Sequence, residues 1–79
     1  MRLGKYLKVS RLIKRRTVAN EACDAGRVMI NDRPAKASAD VKAGDKITIS
    51  FGNKDVSVEV LSVQETVRKE EAKEMFRYL

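Results

Sequence analysis

The sequence has no histidine and no tryptophan, and only one cysteine and one proline. Without histidine the usual general base at neutral pH is missing, and a zinc site of the Cys/His kind cannot be assembled. Acidic residues begin only at Glu21 and follow no spacing associated with metal or phosphate chemistry. Gly26 and Gly44 belong to neither a dinucleotide-binding nor a P-loop pattern. The inventory therefore argues against an enzyme, and no metal or cofactor is implied. Cys23, alone and set among Ala19, Ala22 and Ala25, is expected as a small buried residue. No apolar run reaches the length of a signal peptide or a membrane span, so a cytoplasmic protein is expected. Rings are scarce too: Tyr6, Phe51, Phe76 and Tyr78 are the whole set, and Phe51 is expected in the core. A stacking platform for single-stranded bases is disfavoured on that count.

Positive charge is what the sequence does have, and it is segregated. Arg2, Lys5, Lys8, Arg11, Lys14, Arg15 and Arg16 fall in one stretch without an acid. Of the 17 basic residues, ten then remain from Thr17 onward against 11 acidic ones, so the N-terminal stretch carries the entire excess. Leu3, Tyr6, Leu7 and Ile13 recur at helical spacing, with Lys5, Lys8, Arg11 and Arg15 on a neighbouring face. Like charges so spaced cost roughly 0.2–0.5 kcal/mol per pair in an isolated helix. A merely solvated face would interleave Glu, and none is present; a polyanionic partner explains the pattern better.

Along the chain, Thr17 is expected to cap a second helix with Val18, Ala22 and Ala25 in its repeat and Gly26 at its left-handed end. Arg15 and Arg16 then flank that helix's N-terminus, where free N–H groups already favour an anion. Val28 to Ile30 reads as a strand stopped by Asn31 and Asp32, residues that tolerate a left-handed turn. A brief return strand is expected at Lys36, Ala37 and Ser38, and a turn at Gly44. Ile47, Ile49 and Phe51 alternate with polar residues, as do Val56, Val58 and Val60, which predicts a hairpin with one buried face. The parity break at Leu61 predicts a bulge or a doubly covered strand near Val60. From Thr66 the composition is helical, and this segment docks on the sheet or frays.

The stretch RLGKYLKVSRLIKRRTVANEACDAGRVMIND, followed by AKASADVKAGDKI, resembles the RNA-binding domain of the ribosomal protein S4 type, and within it the RqcP family of small ribosome-binding proteins. The Arg-x-x-Ala signature falls on Arg16 and Ala19, the helix-ending glycine on Gly26, the strand-end asparagine on Asn31, and the Gly-Asp turn on Gly44 and Asp45. The resemblance implies an α+β fold: two short N-terminal helices packed on a small, mostly antiparallel sheet, with a C-terminal helix. Residues 1–65 would form the RNA-binding domain and 66–79 a helical extension of that single domain. RNA contacts are expected from Arg2, Lys5, Lys8, Ser10, Arg11, Lys14, Arg15, Arg16, Thr17 and Lys36. The implied partners are large-subunit rRNA, peptidyl-tRNA on obstructed large ribosomal subunits, and an RqcH-type tailing factor, with the chain acting as a monomer that supports C-terminal tailing and touches no membrane.

Two alternatives carry different consequences: a heat-shock-type recycling factor for free large subunits, and a basic protein-interaction module. Two positions depart from the resemblance. Gly4 stands where similar proteins have Asp, and Asp32 where they have Gly. Helix propensity and the helix dipole predict that Gly4→Asp stabilises the first helix, each by about 0.5 kcal/mol.

Overall fold

The computed structural model describes residues 1–79. Helices α1 (Leu3–Val9) and α2 (Arg16–Asp24) pack with a sheet of β1 (Val28–Ile30), β2 (Arg33–Pro34), β3 (Lys46–Phe51), β4 (Lys54–Val60) and β5 (Phe76–Tyr78). The fold is α+β as expected, with every strand pair antiparallel in the order β2-β1-β3-β4-β5. Register aligns Val28 with Ile49 and Val56, and Ile30 with Ile47 and Val58, so one face of the sheet is apolar. That face meets Leu3, Tyr6 and Leu7 of α1 and Ala19 and Cys23 of α2 in a single core.

Helix α1 is shorter than its periodicity suggested. It begins without a side-chain cap. Instead the Leu3 and Gly4 N–H groups donate to the Ala39 and Ala37 carbonyls at 2.7 and 3.0 Å, so a loop distant in sequence satisfies them. It ends because Arg11 turns into the left-handed region at φ 64°, with its N–H on the Lys8 carbonyl and that of Ile13 on the Leu7 carbonyl. Arg11, Lys14 and Arg15 therefore lie on the connection between the helices, not on a continuation of α1.

Thr17 does not cap α2. The cap position is Arg15, in extended backbone, and Thr17 lies within the helix. Its buried residues are Ala19 and Cys23, one turn apart; Val18 and Ala25 are exposed. The far end is as expected. Gly26 at φ 79° donates to the Cys23 carbonyl and Arg27 to that of Ala22, the paired bonds of a Schellman cap.

The β1–β2 turn holds Asn31 and Asp32 at φ 51° and 67°, so Asp32 occupies a position where glycine is favoured. The return strand is Arg33–Pro34 rather than residues 36–38, whose backbone instead serves the helices. Pro34 is tolerated because β2 is an edge. No bulge forms at Val60; β4 ends there, and the Leu61 and Ser62 N–H groups turn to the Met75 carbonyl. Phe51, expected in the core, is 45% exposed at the hairpin tip, beyond the reach of the helices.

The expected C-terminal helix is a short 3-10 helix, Lys69–Glu74, followed by β5 on β4. Period two wins here: Phe76 faces the core opposite Val60, and Arg77 between the rings donates to Glu59 at 2.6 Å. The segment docks, with Ala72, Met75 and Phe76 buried. The Tyr6 hydroxyl, inside the core, donates to the Met75 carbonyl at 2.8 Å. That oxygen also accepts from Leu61 and Ser62, and so joins α1, the end of β4 and the C-terminal segment at one atom.

A basic face at the helix junction

The junction of α1 and α2 exposes one cation after another. Arg11, Lys14, Arg15 and Arg16 are exposed and Lys8 is half-buried, and none of the five has an ion-pair partner. Lys46 pairs with Asp32 and Arg77 with Glu59, while most other cations beyond α2 are also unpaired, so what sets the junction apart is the closeness of its cations along the chain and the absence of acids among them. The N–H groups of Arg16, Thr17 and Val18 have no partner, and the first turn of α2 contains no acid. Free donors and the positive end of the helix thus lie where the chain also carries Arg15 and Arg16, both exposed, a combination suited to a phosphate.

Lys5 is half-buried and bound to Glu65, an ion pair across 60 residues that the N-terminal stretch gave no hint of. The bond and charge of Lys5 hold the Glu65 carboxyl below the usual carboxylate range. Ser10 is the exception among the expected contacts. It is 2% exposed and its hydroxyl donates to the Leu7 carbonyl at 3.3 Å, so it closes α1 from within and presents nothing to a ligand.

Arg2 and Lys36 are exposed but stand apart from the junction. Arg2 precedes α1, and Lys36 lies beside Cys23, Asp24 and Gly26, at the C-terminal end of α2. From Arg16 to Asp24 the helix axis advances about 12 Å at 1.5 Å per residue. The face is therefore two groups of cations at opposite ends of the helix pair. Between them the backbones come close: a β-carbon on Gly4 would meet the Asn20 side-chain oxygen and lie 3.3 Å from the Ala37 β-carbon. For Gly4→Asp to stabilise α1, the flexible Asn20 side chain has to turn aside and Ala37 has to give by a few tenths of an ångström.

Cys23 is buried as expected, and burial together with the neighbouring Asp24 charge pushes its thiol up to about 11, an unreactive group. No group of histidine, cysteine or acidic side chains is arranged to hold a metal ion, and no helix is long and apolar enough to cross a membrane.

The model of the S4 domain matches residues 1–47, which contain both helices and the loop that holds α1. Across the full 79 residues the chain is 57% identical to the RQC P-site tRNA stabilizing factor of Bacillus subtilis, covering 92% of that protein. The chain belongs to this family. The Streptococcus pneumoniae member is 51% identical, again over the whole chain and 90% of its own length. Trimeric Heat Shock Protein 15 of Vibrio cholerae shares the fold at a TM-score of 0.92 and 29% identity, over 100% of this chain and 81% of that one. The two residues of the Arg-x-x-Ala signature stand in opposite surroundings: Arg16 is exposed at the junction, while Ala19 is fully buried where α2 meets the core.

One part of the site was not read from the sequence. Glu65, Thr66 and Val67 lie beyond the S4 match and form the opposite wall of a groove whose near wall is Lys8, Val9 and Arg11. From Thr66 the composition looked helical, and only the ion pair of Lys5 with Glu65, distant in sequence, signals that this segment comes here.

Proposed function

We propose that the protein is a non-enzymatic RNA-binding factor of ribosome-associated quality control, holding P-site tRNA on the large ribosomal subunit through the basic face of its two helices. The observation that carries this reading is the acid-free run of unpaired cations at the α1–α2 junction, beside the free N–H groups that open α2. Such a site recognises phosphates by charge and direction, and suits the backbone of folded RNA. The full-length likeness to factors named for P-site tRNA supports the choice of RNA.

On this reading the chain binds rRNA and peptidyl-tRNA on obstructed large subunits, and supports C-terminal tailing of the stalled chain by an RqcH-type factor. Residues 1–65 supply the contacts, and 66–79 complete the core and the groove wall. The likeness to Heat Shock Protein 15 favours a second reading, recycling of free large subunits, but at 29% identity against 57% it is the weaker guide. Sequencing of RNA crosslinked to the protein in cells tests the proposal. Large-subunit rRNA and tRNA recovered together are expected; rRNA without tRNA would favour recycling, and neither would contradict both.

A further inference from the structure

The groove between α1 and the segment after β4 has an unusual wall for a basic face. Lys8, Val9 and Arg11 stand on one side and Glu65, Thr66 and Val67 on the other, around a volume of about 190 Å³. That is smaller than the roughly 300–1,000 Å³ of a site for a drug-sized ligand. It suits one planar ring.

An acid here is counterproductive if the groove merely tracks phosphates, since it repels them. It makes sense as a reader of base donors. A carboxylate has about four lone-pair sites, and Lys5 takes one of those on Oε2, which fixes the group's direction and leaves Oε1 free. Guanine alone among the four bases offers two parallel donors on its Watson–Crick edge, N1–H and the N2 amino group. Adenine and cytosine each set a ring-nitrogen acceptor beside their amino group, which a second carboxylate oxygen would repel. Uracil offers one donor between two carbonyl oxygens.

We propose that this groove binds one unpaired guanosine of an RNA loop, with Lys8 and Arg11 on its phosphate, Val9 and Val67 against its ring, and Glu65 on its N1–H and N2 donors. The inference rests on the reading of the junction as an RNA-binding face and adds a base preference to it. Selectivity then comes from a segment outside the S4 match, which is why the S4 helices alone would lack it. Lys5 is a positioning residue, acting through Glu65.

The test uses the full chain and a short RNA hairpin with one guanosine in an otherwise uridine loop, titrated by fluorescence anisotropy at one salt concentration. Replacing that guanosine by inosine, which lacks the N2 amino group, or by adenosine is expected to weaken binding about tenfold, within the range for losing a bidentate base contact. Glu65→Gln should abolish the difference between the hairpins while binding all of them, because the phosphate contacts remain. Lys8→Gln with Arg11→Gln should weaken every hairpin alike and leave the guanosine preference in place. Equal binding of guanosine and inosine hairpins by the unaltered chain would overturn the proposal, as would an undiminished preference in Glu65→Gln. Absence of binding to any hairpin would instead overturn the RNA-binding reading beneath it.

Discussion

Six residues hold a positive φ, and five of them are Gly, Asn or Asp; the sixth is Arg11 at 64°. A left-handed conformation costs a residue with a β-carbon roughly 1–2 kcal/mol, and glycine escapes this but gives up roughly 0.5–1 kcal/mol of chain entropy on folding. Arg11 is exposed and makes no ion pair, so its side chain offers little to the fold in return. Arg11→Gly should therefore stabilise the protein by about 0.5–1 kcal/mol. At about 4–8 °C per kcal/mol for a domain of this size, the midpoint should rise by roughly 2–8 °C. RNA binding should move the other way. Losing one phosphate contact should weaken binding by about 1 kcal/mol and make the slope of log affinity against log salt shallower by about 0.7–0.9. Thermal unfolding by circular dichroism and salt-dependent titration on the same sample measure both quantities. A lower midpoint would mean that the Arg11 side chain holds the helix junction together. An unchanged slope would mean that it touches no phosphate.

Three further outcomes follow from named contacts. Arg16→Ala should cost about 1.5–3 kcal/mol of binding, the range for a charged hydrogen-bonded group, and Lys8→Ala about 1 kcal/mol or less; equal losses in parallel titrations would mean a diffuse field rather than a focused junction. Gly4→Asp should change stability by no more than about 1 kcal/mol, because the Asn20 amide it meets ends a flexible side chain and the Ala37 β-carbon at 3.3 Å need give only slightly; a loss of about 1–3 kcal/mol, the range for overpacking, would mean that neither neighbour moves. Burial raises the Tyr6 hydroxyl to about 12 from an ordinary value near 10, so its contribution is fully present below pH 10 and is lost as pH rises toward 12. Denaturant titrations should show a loss of roughly 2–3 kcal/mol across that interval from this group, reduced in Tyr6→Phe; identical alkaline profiles would mean that Tyr6 ionises without cost.

Much of the sheet was legible because period-two alternation is a local signal: the β3–β4 hairpin, the Asn31–Asp32 turn and the Gly26 cap all follow from neighbours in sequence. What was missed depends on distant partners. Helix α1 starts where the Ala37 and Ala39 carbonyls hold it, and no nearby capping residue announces that. Ser10 looked like a contact because it lies among cations, yet the turn at Arg11 folds it inward. Charged composition in residues 66–79 read as helix, while the Phe76–Arg77–Tyr78 alternation was enough to make a strand once β4 offered an edge. The cationic stretch itself was plain. Its division into a junction group and a distant pair, Arg2 and Lys36, needed the helix turn, and Glu65 needed the fold.

The central claim is that the junction binds RNA by neutralising phosphates, and its salt dependence tests that most directly. Affinity for large ribosomal subunits carrying peptidyl-tRNA would be measured across a series of salt concentrations. If Lys8, Arg11, Lys14, Arg15 and Arg16 each neutralise one phosphate, the slope of log affinity against log salt should be about −3.5 to −4.5, between the single-strand and duplex limits. Changing all five to Gln should make the slope shallower by that amount, leaving only what Arg2 and Lys36 contribute. A slope near zero in the unaltered chain, or one that survives the five substitutions, would contradict the account.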